Sequence, residues 1–177
     1  RMARKDITQS HVLWTRPITV SGPRDDVALA VSCDVLSALL FQRLRSELGL
    51  CYGAHCSYED DLPNLNLIEL NTSVPHDNRN KALKEMGKVL EHFLSEGLDK
   101  DRIEEAKATV KRKLLMSSDS PSVNTYSMLE ECLTKNSTTD PIDSLVEALP
   151  KVTDRYIRNF AKKNFSGEYK KCLLLEG

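Results

Sequence analysis

Between Val27 and Phe41 the chain could turn through about four helical turns with only Ser32, Asp34 and Ser37 as polar interruptions. A helix that is apolar on almost every side cannot lie on a surface, so other elements must enclose it. The longest helix candidate, Asp25 to Leu48, is therefore expected at the centre of the fold. Polar residues return at Gln42, Arg43, Arg45, Ser46 and Glu47, and Gly49 follows Leu48 where a helix C-terminus favours glycine.

The segments around this helix alternate between two periods. His11–Thr19 reads as a strand, with Pro17 pointing to an edge or a bulge. Ser21-Gly22-Pro23 is a turn. Cys51–Ser57 and Leu65–Val74 read as an antiparallel hairpin joined by the turn-like Glu59–Asn64. After Pro75 the period becomes 3.6. Ala82, Leu83, Met86, Val89, Leu90, Phe93 and Leu94 form one stripe, ended by Gly97, and Ile103, Ala106, Val110, Leu114 and Leu115 form a second. Ser120-Pro121 and Asp140-Pro141 are helix-start signals. The first opens a helix with Tyr126, Leu129 and Leu133 on its apolar face, and the second a short helix through Leu149. Thr153 caps a last helix whose core side is Tyr156, Ile157, Phe160 and Ala161, and Tyr169–Leu175 closes the chain as a strand. This order predicts an α+β domain: a mainly antiparallel sheet of about four to six strands with helices packed on one face.

The 177 residues suit a single domain, 1–177. Its polar start, Arg1 to Asp6, resembles neither a signal nor a transit peptide, and beginning at arginine suggests a piece of a longer protein. With 25 basic and 26 acidic residues the net charge is −1, which gives no long-range pull toward nucleic acid or an anionic membrane. No apolar run approaches the roughly 20 residues that span a bilayer. The five cysteines, Cys33, Cys51, Cys56, Cys132 and Cys172, are scattered and odd in number. That pattern favours free thiols and a reducing compartment such as cytoplasm or mitochondrial matrix.

The chain contains neither H-x-x-E-H nor its reversal, no G-x-S-x-G and no phosphate-cradling glycine loop. His11, His55, His76 and His92 fall in four different expected elements. The most metal-like cluster is Cys51, His55 and Cys56, but strand alternation would put Cys51 and His55 on one face and Cys56 on the other. No metal site and no catalytic residue are expected in this domain.

One segment carries more: Ser37-Ala38-Leu39-Leu40-Phe41-Gln42-Arg43-Leu44-Arg45-Ser46-Glu47-Leu48-Gly49-Leu50-Cys51-Tyr52. It resembles the S-S-R-L-F-Q-E-L-R-x-x-x-G-L-x-Y stretch in the non-catalytic, C-terminal-type domain of pitrilysin/insulinase-type zinc peptidases. The matches are Ser37, Leu40, Phe41, Gln42, Leu44, Arg45, Gly49, Leu50 and Tyr52. Leu98–Leu115 is similar to the family's G-L-x-x-x-x-L-x-x-A-K-x-x-L-K-x-x-L helix, Ser118–Pro121 to its S-x-x-S-P step, and Val152–Phe165 to its V-T-x-x-D-V-x-x-x-A-K-K-x-F helix. Two features depart from the pattern: Cys33-Asp34-Val35-Leu36 stands where the family often has L-G-G-G, and Leu39 where it has arginine.

The resemblance implies one domain of a longer two- or four-domain protein. It would be the substrate-binding, chamber-forming half of a zinc metalloendopeptidase, inactive by itself. Zinc is then expected in a catalytic H-x-x-E-H domain supplied in cis or in trans, with a peptide as substrate. It also implies roles for two residues: Arg45 would hold substrate carbonyls through its forked donors, and Tyr52 would donate its hydroxyl toward the developing oxyanion. Leu40, Phe41 and Leu44 are expected in the core, and Lys107, Lys111, Lys113, Lys162 and Lys163 on solvated helix faces. If the mating surface is large and apolar, the isolated domain is expected to self-associate. A proteolytically dead scaffold of the same fold is the alternative, and an unrelated α+β binding domain the third reading.

Overall fold

The computed structural model describes residues 9–62, 65–118, 125, 129 and 141–175. In chain order these form β1 (Gln9–Ile18), α1 (Pro23–Leu40), β2 (Ala54–Leu62), β3 (Leu65–Pro75), α2 (Arg79–His92), α3 (Lys100–Ser118), α4 (Pro141–Ala148), α5 (Asp154–Phe165) and β4 (Lys170–Leu175). Two of the helices end in wider π-helical turns, α1 through Phe41–Glu47 and α2 through Phe93–Gly97. The four strands form one antiparallel sheet in the order β2-β3-β1-β4. The expected class, α+β with an antiparallel sheet, is the one observed.

Alternation decides which face of the sheet is covered. Val12, Trp14 and Ile18 of β1 and Ile68, Leu70 and Val74 of β3 are buried, whereas His11, Leu13, Leu67 and Glu69 between them are not. The helices lie on the first face. α1 packs against β2, α3, α4 and α5, which is the enclosure its composition demands. Together with its π-helical end it makes a 25-residue helix long and apolar enough, by length and composition, to cross a bilayer, contrary to the expectation from sequence; 61% of its apolar window is buried inside the domain. Such burial is that of a core helix.

Four features differ from expectation. Pro17 lies in an inner strand, yet β4 pairs with β1 only from Ser10 to Thr15, so Pro17 falls beyond its neighbour's end, where a missing N–H is tolerated. β2 begins at Ala54 instead of Cys51, because the chain bends at Tyr52 before pairing with β3 starts, and it runs on through the expected turn to Leu62 with a register shift after Glu59. Phe41, expected in the core, is 48% exposed, while Leu40 and Leu44 are fully buried. The second stripe holds at Ile103, Ala106 and Val110, but Leu115 is 47% exposed. The Ser120-Pro121 start signal and the side chains of Tyr126 and Leu133 lie outside the described residues, whereas Thr153 caps α5 as expected, accepting a hydrogen bond from the Tyr156 N–H at 3.3 Å.

Two serines of α1 have opposite roles. Ser37 Oγ donates to the Cys56 carbonyl and accepts from the Cys56 N–H, both at 2.8 Å, and so clasps β2 to the core helix. Ser32 Oγ is fully buried without a partner among the described residues. Ser37→Ala is expected to cost about 1–3 kcal/mol in denaturant unfolding, because it strands two backbone groups. Ser32→Ala is expected to be neutral or stabilising, because it removes a desolvated hydroxyl that has no partner there.

Candidate functional site

The π-helical end of α1 and the bend after it determine where the two candidate side chains go. Gly49 adopts φ +60°, in the left-handed region that glycine enters without penalty. Its N–H donates to the Arg45 carbonyl at 3.2 Å, and the Leu50 N–H reaches back to the Leu44 carbonyl at 2.8 Å. This turn is one residue wider than an ordinary α-helical end, as follows from the π-helical turn before it. Leu44 and Leu50 anchor it in the core. Arg45 sits in the last turn and Tyr52 two residues before β2.

The bend brings both onto one exposed surface. The Arg45 guanidinium carbon lies 5.3 Å from the centre of the Tyr52 ring, within the range of a cation–π contact worth about 0.5–1 kcal/mol at an exposed site. Tyr52 is 83% exposed and Arg45 is exposed as well. Thus a charged fork and a phenol hydroxyl are presented side by side, with no hydrogen-bond partner among the described residues. Gly49→Ala is expected to cost about 1–2 kcal/mol of stability through its positive φ alone, since an added Cβ would meet nothing within 4 Å. Thermal melting of the variant checks the cost.

The same π-helical turn carries an ionic cluster that sequence reasoning missed. Glu85 on α2 is 6% exposed. It accepts from Arg43 Nε at 2.8 Å and from Lys88 Nζ at 2.7 Å, while Arg43 also donates to Glu47 at 2.8 Å. Arg43, and with it the π-helical turn, is thereby tied to α2. The signal was present: Glu85 interrupts the buried stripe of Ala82, Met86 and Val89, and a carboxylate there requires a cation. Lys88, then Arg43, holds the Glu85 carboxyl below the usual carboxylate range. A depressed carboxyl adds stability above its unfolded-state value and loses it as pH falls through its folded-state value. The melting temperatures of the protein and of Glu85→Gln are expected to differ at neutral pH and to converge as pH falls below about 4.

The described metal-like donors do not converge on one position. His55 is exposed and Cys56 buried on the other side of β2, and Cys51, which is buried, precedes the strand altogether. The expected shared face of Cys51 and His55 is therefore corrected, since only one of them belongs to β2. Among the described residues no three His, Cys, Asp or Glu side chains converge. Two histidines are tied to serines instead: His76 Nδ1 lies 2.6 Å from Ser10 Oγ, and His11 Nδ1 lies 2.6 Å from Ser73 Oγ. Of the lysines, Lys111, Lys113, Lys162 and Lys163 are exposed, Lys113 pairing with Asp34 at 2.8 Å, but Lys107 is only 16% exposed and bridges Glu104 and Asp154.

Comparison with known proteins agrees with this architecture. The sequence model of the peptidase M16 inactive domain matches residues 1–110. No curated protein sequence matches. Among solved structures, a protease from Helicobacter pylori is similar with a TM-score of 0.81 at 14% identity, over 98% of this chain and 43% of its own. The inactive peptidase domain of a zinc protease from Bordetella parapertussis gives 0.79 at 14% identity, over 94% and 92%. The periplasmic protease PqqL from Escherichia coli gives 0.78 at 15% identity; the match covers 98% of this chain but only 20% of PqqL. At these identities the likeness shows the fold, and the chain spans a fraction of several of these proteins. The family match covers more than half of the chain, which excludes an unrelated binding domain: the chain belongs to the peptidase M16 family, as an inactive-domain member of this pitrilysin/insulinase-type group.

Proposed function

We propose that this domain is the substrate-binding, chamber-forming half of a zinc metalloendopeptidase acting on peptides, inactive by itself and completed by a catalytic H-x-x-E-H domain in cis or in trans. The observation that carries the reading is the exposed Arg45–Tyr52 pair, 5.3 Å apart at the Gly49 bend. The zinc held by the partner would polarise water and the scissile carbonyl. This chain's own groups do the rest. The Arg45 fork donates to substrate carbonyls and fixes the peptide, and the Tyr52 hydroxyl donates to the oxygen on which charge develops. Such donors act strongly only where water is excluded, so the pair requires a mate to close over it. Exposed Phe41, one turn before Arg45, adds apolar surface of the kind a mating domain covers. A ferredoxin protease of the same fold is known in complex with ferredoxin, which supports polypeptide as the substrate class.

One observation favours the scaffold reading. Where the family often has glycines, Val35 and Leu36 are buried and Asp34 is held by Lys113, so close backbone approach to a ligand is blocked there. Mixing the chain with its catalytic H-x-x-E-H domain separates the two. Neither half alone should cleave a fluorogenic peptide, whereas the mixture should. A stable complex that cleaves nothing would replace the peptidase reading with the scaffold.

A further inference from the structure

The core helix and β2 meet at two thiols that the site described above does not use. Cys33 on α1 and Cys56 on β2 are 4% and 7% exposed. The Ser57 carbonyl is the common neighbour of both sulfurs, with Cys33 Sγ at 4.0 Å and Cys56 Sγ at 3.9 Å. Ser37, one helical turn after Cys33 and on the same side of α1, holds the Cys56 backbone at 2.8 Å through both its N–H and its carbonyl. That clasp fixes the distance between helix and strand at the level of the sulfurs. The shared Ser57 carbonyl therefore brings the two sulfurs to one place between helix and strand, and burial pushes the Cys56 thiol well up from its ordinary value. Both line a cavity of about 440 Å³ that also borders the Lys113–Asp34 ion pair. Such a space admits a small oxidant such as hydrogen peroxide.

We propose that Cys33 and Cys56 are a dithiol modification site, which hydrogen peroxide converts into a disulfide stapling α1 to β2. One sulfur attacks a peroxide oxygen as its thiol proton departs, breaking the O–O bond, and the released hydroxide takes up that proton as water. The resulting sulfenic acid is attacked by the second thiol, whose proton leaves with the displaced hydroxyl as a second water. Two thiols and one peroxide give one disulfide and two waters. The new bond closes a loop containing Arg45, Gly49 and Tyr52, so oxidation would brace both ends of the bend that presents them. Cross-linking a folded pair in this way constrains the unfolded chain.

The test does not depend on any peptidase role. The protein is treated with hydrogen peroxide under native conditions, its remaining thiols are alkylated, and its peptides are mapped by mass spectrometry without reduction. Peptides joined through Cys33 and Cys56 are expected, with a melting temperature raised by roughly 5 °C or more and restored by dithiothreitol. Cys33→Ser and Cys56→Ser should each abolish the linked peptides, and Cys172→Ser should leave them in place. Oxidation of single thiols without a link, links that use other cysteines, or a link that leaves the melting temperature unchanged would each overturn the proposal. Because the mapping is done on the unaltered protein, it stands even if a serine variant fails to fold.

Discussion

Replacing Tyr52 with phenylalanine is expected to lower kcat of the assembled peptidase roughly 100- to 1,000-fold, the loss typical of removing one oxyanion donor, while the domain's melting temperature stays unchanged. The two halves of this expectation have separate physical grounds. The ring is 83% exposed and contributes nothing to the core. Its face, not its hydroxyl, meets the Arg45 guanidinium, and phenylalanine keeps that face. Only the hydroxyl donor proposed to face the substrate is lost. Steady-state kinetics on a fluorogenic peptide, paired with thermal melting of the same preparation, reads both quantities. A fall in melting temperature with unchanged kcat would assign Tyr52 a structural role instead.

Leu44→Ala should do the reverse and act first on stability. Leu44 is fully buried at the π-helical end of α1, and its carbonyl closes the bend by accepting the Leu50 N–H at 2.8 Å. Truncating a fully buried leucine typically costs about 3–4 kcal/mol through lost transfer energy and the cavity left behind. For a domain of this size that corresponds to roughly 10 °C in melting temperature. The backbone bond survives the substitution, but the side chain that seats the bend does not, so Arg45 and Tyr52 should also lose their fixed relation. Denaturant unfolding measures the first effect. A loss below about 1 kcal/mol, the scale of surface substitutions, would mean that the bend is held by its backbone alone.

The parts of the fold visible in the sequence are those set by local period and composition. The buried character of α1 follows from Val27–Phe41, the apolar face of α2 from Ala82, Met86 and Val89, and the start of α5 from Thr153. The parts that were not visible depend on distant contacts. A π-helical turn at Phe41–Glu47 has no composition of its own; it is stabilised by Arg43 reaching Glu85 on α2 and by Leu44 seated in the core. The widened turn changes which side chains face inward, and Phe41 is left at the surface. Cys51 reads as the first residue of the hairpin's first strand, yet the left-handed Gly49 carries the chain through a bend, and pairing with β3 begins only at Ala54. The candidate site itself was readable, because Arg45, Gly49 and Tyr52 are close in sequence and one glycine conformation brings the side chains together. Its Arg43–Glu85 support was not, since that contact joins residues 42 positions apart.

The central claim is that Arg45 and Tyr52 act together on one substrate. It is tested most directly by a double-mutant cycle in kcat/KM of the assembled peptidase, using Arg45→Ala, Tyr52→Phe and the double variant. Both single changes are expected to lower kcat/KM by at least tenfold, and the double variant to lose less than the product of the two, as for groups that touch one reacting centre. Unchanged kcat/KM in both single variants would contradict the account.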